Sequence, residues 1–449
     1  LVGSEMCIRD RVNRCIRHKS IPSVSSRKET KSKIETFNIC GYLPKITSKR
    51  EWILSELDLE FLRVGTYILG CGGGGDPYSK ALQAKVMLRN GSKMMVIDLD
   101  DIPKFNDKES SMIVALAACG SPSVIAERLQ GHEFADSLTL LQSQEKSSLT
   151  SIMPMEIGGS NGFQGLLLGG LPEHNLKILD ADMMGRAYPM IWQISPVASK
   201  SGDDNKSFFE PCAISDGAGN DMLLSKVSSD QYAENLIRTS LTQLGSYVGL
   251  VTKPMDFEFL KENVIRNSIS LSWRIGRAVY LAKENLEVDK IPDYIVGAVG
   301  GSNFGKVLMR GKMIAISKKM EGGLDYGEVQ IESDDKESKG RVLTISFMNE
   351  NLLCKWKSTN KIIVTVPDLI TVIDRNSGEA IGTPDYRYGL FCAVIIMRPN
   401  SKWTETEDAL KIGGPAAFGM EAVYSPFFKE MSLPSKTPSV IAEFAPQNV

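Results

Sequence analysis

At 449 residues the chain is too long for a single hydrophobic core, so two domains with an appendage are expected. Hydrophobic residues at 42% and charged residues at 24% are ordinary globular proportions, which argues against a disordered or fibrous chain. A formal charge of -2 and a pI near 6.1 give no basic footprint for nucleic acid, and no apolar run approaches the ~18 residues of a membrane-spanning helix.

The opening stretch Val2–Arg11 back-translates onto a sequencing adapter and is read as an assembly artefact. The residues after it, through Lys49, are rich in Ser, Lys and Arg and suit a disordered leader, with a mitochondrial transit peptide as the alternative. From Glu51 the text turns globular. Trp52-Ile53-Leu54 with Leu59, Leu62, Tyr67, Ile68 and Leu69 recur at spacings near three and four, predicting an amphipathic helix that runs into Gly70-Cys71-Gly72-Gly73-Gly74-Gly75-Asp76. Pro77 opens a second helix, Tyr78 to Arg89, which Asn90-Gly91 stops. Met94 to Ile97 and Met112 to Ala118 read as strands, Ile125 to Leu141 as a helix, Ile152 to Ile157 as an apolar run before the turn Gly158–Gly162, and Leu176 to Leu179 as a strand. This alternation predicts an N-terminal Rossmann-like α/β domain over residues 51–225, with Asp98, Cys119, Glu156 and Asp180 at strand carboxyl ends where ligands gather.

Ser199 to Ser207 reads as a surface loop. Tyr232 to Leu244 and Phe257 to Glu284 read as helices. Beyond Pro292 strands are predicted at Tyr294–Val299, Val307–Ile316, Gly327–Ile331, Val342–Met348, Ile362–Val366, Ile370–Ile373 and Phe391–Met397, separated as in a sandwich. The second domain, 226–430, is thus a helical lead-in plus a mainly β body, followed by a tail over 431–449.

Chemistry is written in a few places. Gly70-x-Gly72-x-x-Gly75, with Asp98 at about the right distance, formally matches the dinucleotide fingerprint. That mechanism needs a strand before the glycines, whereas a helix is predicted there and Asp76-Pro77 occupies the phosphate's place, so no nicotinamide cofactor is expected. The glycines instead serve close helix packing or a backbone-lined pocket. Cys71, read as lying near a helix N-terminus, is a candidate nucleophile or metal ligand, and Cys119 is a weaker one; a small buried hydrophobe is the alternative for each. Glu156, in an apolar run before a flexible turn, is the strongest signal, since a buried Glu is rare unless paired, metal-bound or raised in pKa. Asp180 and Asp182 flank a strand end: they share a cation, one of them pairs with Arg186, or they cap the helix after them. Asp216-Gly217-Ala218-Gly219-Asn220 is a third ligand group or a hairpin turn. Eight scattered cysteines without a C-x-x-C pair suit a reducing, cytoplasmic setting. With only His18, His132 and His174 available, any metal would lean on Cys, Asp or Glu.

Four blocks occur in order: Gly70–Tyr78, Gly120-Ser121-Pro122-Ser123-Val124, Pro154–Gly162 and Asp180–Pro189. With Gly322-Gly323, Gly327-Glu328-Val329, Asn349-Glu350-Asn351, Val366–Ile370, Tyr388-Gly389-Leu390 and Gly414–Gly419, they resemble the S-methyl thiohydantoin desulfurase family over roughly Leu54 to Pro426. The resemblance implies an α/β domain followed by a β-rich one, hydrolytic removal of sulfur from a thiohydantoin-type ring, zinc as a cofactor, and hydantoinase- or oxoprolinase-type partners. Met183 stands where the family usually has Gly, and Met190 where it has Glu, a departure that bears on substrate and activity. The expectation is therefore a hydrolase of a thiohydantoin- or hydantoin-like ring. Glu156 is its base, Asp180 and Asp182 are acid or metal ligands, Cys71 is ligand or nucleophile, and Arg186 is an ionic partner. Gly72, Gly73, Gly74, Gly75, Asp76, Asn161 and Cys119 hold the substrate. A non-catalytic metabolite-binding protein, possible as a homo-oligomer like the hydrolase, and an NAD-linked oxidoreductase are the alternatives.

Overall fold

The computed structural model describes residues 38–102, 112–120, 124, 130–144, 149–174, 176–199, 206–321, 324–428 and 437–446. The leader through residue 37, Ser121-Pro122-Ser123, the first turns expected from Ile125, most of the Ser199–Ser207 loop and Gly322-Gly323 lie outside the described residues.

Ser55 begins the first long helix, α1 (Glu56–Leu69): its side chain accepts from the Asp58 N–H while Asp58 accepts from the Ser55 N–H, a reciprocal capping box. Trp52 and Ile53 therefore precede the helix and do not belong to it. They form a short strand against Val96 and Met95, because Leu54 N is bonded to Met94 O and the chain is still extended there. α1 is buried nearly all round, as a helix inside the molecule must be. A long helix from far along the chain, Ser268–Glu284, crosses it at two glycines. A Cβ on Gly65 would lie 1.7 Å from Ser272 O, and one on Gly276 1.8 Å from Phe61 O, so only glycine permits this approach. The helix Tyr78–Arg89, α2, follows Pro77 and ends at Asn90, as predicted.

The first sheet has nine strands: β1 (Lys45–Ile46), β2 (Trp52–Ile53), β3 (Met95–Ile97), β4 (Met112–Gly120), β5 (Leu149–Pro154), β6 (Lys177–Leu179), β8 (Cys212–Ser215), β9 (Asp221–Leu224) and β10 (Tyr247–Thr252). Their order is β1-β2-β3-β6-β5-β4-β10-β8-β9. The central β3-β6-β5-β4 are parallel, and the flanking strands are antiparallel. The α/β expectation holds at this level, but the sheet is mixed and the glycine-rich loop follows a helix. β4 is buried from Ile113 to Cys119, the continuous apolar run of a strand covered on both faces. β1 shows that folded structure starts before residue 51, and β10 inserts a segment from beyond residue 226 into this sheet.

The predicted helix Phe257–Glu284 is interrupted. Phe257–Asn263 is followed by β11 (Ile265–Arg266), which pairs with β7 (Ala181–Asp182) before the helix resumes at Ser268. Tyr294–Val299, predicted as a strand from its β-branched residues, is the end of a helix over Ile291–Ala298. Pro292 sits in its first turn, and the apolar side packs on the helix before it. The remaining strands make one antiparallel sheet and not a sandwich: β12 (Gly305–Glu321), β13 (Leu324–Ser333), β14 (Val342–Met348), β15 (Glu350–Trp356), β16 (Ile362–Thr365), β17 (Leu369–Asp374) and β18 (Phe391–Met397), in the order β16-β15-β14-β13-β12-β18-β17. The sheet curls until β15 and β17 face each other. A separate second layer is unnecessary because the curl itself encloses Met313, Ile331, Ile345, Cys354 and Ile370. In the tail, Val440 and Ile441 are buried on a short helix over Val440–Phe444.

Candidate active site

The parallel strands end side by side, and their carboxyl ends carry the expected groups to one edge. What each group then does depends on its partners. Asp98, after β3, pairs with Arg266 at 3.0 Å and accepts from Asp100 N. Asp180, after β6, accepts from Ser270 N at 3.0 Å and from the Ser270 hydroxyl at 2.5 Å. Asp182 Oδ2 takes the N–H groups of Ile157, Met184 and Gly185 at 2.9, 3.2 and 2.7 Å. Burial pushes Asp180 up to about 6 and Asp182 to about 7. Arg186 pairs with neither. It donates to the carbonyls of Ala187, Asp368 and Asn351 at 3.0, 3.1 and 3.1 Å, and so ties the segment after β7 to β15 and to the approach of β17. The predicted Asp182–Arg186 pair is absent because the turn Met184-Gly185 folds back on Asp182 and sends the guanidinium the other way.

A different set of side chains faces a cavity of about 60 Å³. Its walls are Gly74 and Gly75 of the loop, Cys119 and its neighbours in β4, Glu156, Asn161, Tyr188, Glu234 and Arg238 of the helix Asp230–Leu241, and Asn349 and Glu350 at the β14–β15 reversal. Glu156 is 6% exposed. Its Oε1 accepts from the Asn161 amide and its Oε2 from Tyr188 N at 3.3 Å. Asn161 is itself oriented by accepting from Ala118 N at 2.7 Å. Burial pushes the Glu156 carboxyl up to about 8, against the opposing effect of these two donors.

The loop reaches the cavity by a left-handed path: Cys71, Gly72, Gly74 and Gly75 all have positive φ. It is locked against the second glycine turn, since Gly74 O accepts both the N–H and the hydroxyl of Ser160 at 2.9 Å. Gly74, Gly75, Asn161, Cys119 and Glu156 thus meet, as expected. Cys71 and Gly72 point their carbonyls at Asn351 N and Thr383 N, each at 2.8 Å, and Gly73 backs onto Glu350; none of the three lines the cavity. Cys71 follows the C-terminal end of α1, not a helix N-terminus, and burial raises its thiol pKa where a lowered one was expected. Burial likewise pushes the Cys119 thiol up. Asp76 is exposed and accepts from Tyr78 N at the start of α2. Asp216 holds the β8–β9 hairpin by accepting from Ala218 N and Asn220 N.

Sequence reasoning did not single out Glu234, Arg238, Tyr188 or Glu350. Glu234 Oε2 accepts from Ile191 N at 2.7 Å and its other oxygen binds Arg238, which also reaches Pro189 O at 3.2 Å and the Met190 sulfur at 3.9 Å. The i, i+4 acid–base spacing was visible, but it marks most surface helices as well. Cys71, Asp180 and Asp182, the expected metal ligands, do not converge. Among the described residues no three His, Cys, Asp or Glu side chains are grouped to hold an ion.

The chain matches two family models: the S-Me-THD-like N-terminal domain over residues 57–226 and the S-Me-THD-like C-terminal domain over residues 228–427. No curated protein matches. A crystal structure of a protein from Chromobacterium violaceum superimposes with a TM-score of 0.64 at 21% identity, covering 84% of this chain and 99% of that one, which is a likeness of fold. Among the described residues no helix is long and apolar enough to cross a membrane.

Proposed function

The chain belongs to the S-Me-THD-like family, and from that premise we propose that it is a hydrolase that removes sulfur from a thiohydantoin-type ring in the cavity beside Glu156. One observation carries the reading: a buried carboxyl with an ordered amide partner lines a small cavity between a glycine-rich loop and strand ends. Water must lose a proton as its oxygen bonds to the ring carbon between the two nitrogens, and the sulfur must gain one as the C–S bond breaks. Burial brings Glu156 to about 8, close to neutrality, where a carboxylate is a stronger base than an exposed one and is still partly ionised. Asn161 and the Tyr188 N–H fix its direction, and Gly74 and Gly75 let the ring approach the backbone.

The donors expected for zinc do not fit an ion as placed, and no step here runs through a metal. The product is a cyclic amide of the kind a hydantoinase-type partner opens, which places this chain before ring opening.

The test is release of hydrogen sulfide or thiol from a panel of thiohydantoins and related cyclic ureas. Glu156→Gln should lower kcat by about 100-fold or more while ring affinity is kept. Affinity without turnover in either form would support binding alone, and no turnover by the parent chain across the panel would sink the hydrolytic reading.

A further inference from the structure

Glu350 comes from the other sheet and enters the same cavity. Asn349, in the left-handed conformation, reverses the chain between β14 and β15 with Met348 opposite Glu350. The reversal is clamped: Thr383 Oγ donates to Asn349 O at 2.5 Å, and Asn349 Oδ1 accepts from Asp325 N at 2.9 Å. Glu350 is thus held at 2% exposure among the cavity walls.

The loop opposite is shaped around this carboxyl. Gly73 has no positive φ that would demand glycine, yet a Cβ there would lie 1.9 Å from Glu350 Oε1. Space, not backbone angle, keeps residue 73 a glycine. On the other side of the carboxyl, Glu350 Oε2 has no hydrogen-bond partner among the described residues. Buried polar atoms are nearly always satisfied, so an unpartnered oxygen on a residue that lines the cavity is a natural contact for a molecule bound there.

We infer that Glu350 is the acid that works opposite Glu156 on the bound ring, so that the site is split between the two sheets. The inference rests on the proposed hydrolysis. The assignment of roles follows from partners. Glu156 accepts from the Asn161 amide and Tyr188 N, which favour its charged form; Glu350 has the backbone N–H groups of Gly74 and of its own residue beside it, but its Oε2 is unpartnered and the charge of Glu156 opposes its ionisation. Also near Glu350 are Arg186, whose donors are committed to three carbonyls, and the neutral Cys71 and Tyr188, while the same cavity is lined by Glu234 and Arg238, which are bonded to each other. On this inference Glu156 has the ionised role and Glu350, with its unpartnered oxygen on the cavity side of the Gly73 contact, the protonated one.

The proton count closes. Water's oxygen bonds to the ring carbon as Glu156 takes one of its protons, and Glu350 protonates the sulfur that has become anionic. The C–S bond then breaks while the new hydroxyl becomes the carbonyl. The hydroxyl proton goes to Glu350, the proton on Glu156 goes to the departing HS⁻, and hydrogen sulfide leaves with both carboxyls restored.

The test uses the full chain and 2-thiohydantoin. Glu350→Gln should lose about 100-fold in kcat with KM within about threefold, and should lose the alkaline fall of the pH–rate profile. Turnover within about threefold of the parent with an unchanged profile overturns the inference. Glu350→Asp keeps the acid but shortens its reach, and should lose about tenfold in a folded chain; parental activity in it counts against the assignment. A second measurement does not need turnover. Infrared titration of the buried carboxyls in Glu156→Gln should show the Glu350 ionisation moved to lower pH, because the facing charge is gone. An unmoved ionisation refutes the pairing, whereas a moved one with no turnover by the parent chain sinks only the proposed reaction.

Discussion

Asp180 and Asp182 are as deeply buried as Glu156 and Glu350, lie close to Glu156, the one after β6 of the same sheet and the other in β7 with Oδ2 accepting from Ile157 N, and are likewise shifted upward by desolvation. The two sets differ in where their oxygens point. Asp180 receives the start of the Ser268–Glu284 helix through Ser270, and Asp182 Oδ2 gathers three backbone N–H groups, so these carboxylates organise the chain around themselves. Glu156 and Glu350 are held by fewer protein donors and line the cavity, whereas Asp182, whose Oδ1 is also without a partner among the described residues, does not line it. Burial alone therefore does not identify a reactive acid; the direction of its unused hydrogen-bonding capacity does.

The comparison breaks first at Arg186, which belongs to the framework set. Arg186→Met removes three charge-assisted bonds to buried carbonyls and should destabilise the chain by about 3–5 kcal/mol in denaturant unfolding. A chain of parental stability that has lost only turnover would move Arg186 into the chemistry.

A smaller effect separates the acids by sign. For Glu156 the folded value of about 8 lies above the ordinary 4.5, so its favourable term is fully present below about 4.5 and is lost as pH rises to about 8. Glu156→Gln should accordingly be more stable than the parent by about 1–3 kcal/mol at the alkaline end and nearly equal at the acid end, read from thermal unfolding across pH. Asp180→Asn should instead destabilise by about 1–2 kcal/mol, because Ser270 N and the Ser270 hydroxyl donate to the two carboxylate oxygens and an amide keeps only one of them, setting an N–H against the other donor. Equal signs at the two positions would erase the distinction between the two sets.

The smallest effect is expected at Cys71. The thiol is fully buried and outside the cavity, so Cys71→Ala should retain turnover within about threefold. A loss of about 100-fold would restore the nucleophile or ligand that its place in the loop suggested.

Much of the site was legible as type but not as role. Glu156 stood out because an acid in an apolar run needs a reason, and Asn161 and the glycines lay in the same block. Glu350 sat inside Asn349-Glu350-Asn351 with nothing local to mark it, since its meaning comes from Gly73 and from a cavity assembled by another sheet. Cys71 misled because the thiol was referred to the helix after the loop, when it closes the helix before. The strand at Tyr294–Val299 failed for a related reason: β-branched residues raise β propensity, but Pro292 and a waiting apolar helix face favoured a helix there.

The amino-acid sequence by itself determined the family, a helix running into the glycines, both ends of α2, the parallel strands whose ends carry Asp98, Glu156 and Asp180, and the presence of an unusual acid before a glycine turn. These depend on periodicity, caps and short-range sterics, which act over a few residues. Only the tertiary structure decided which acids build the fold and which face the cavity. Their donors Ser270 and Tyr188, and the apolar walls that desolvate them, come from segments far apart in the chain, and hydrogen-bond partnership and desolvation have no local signature.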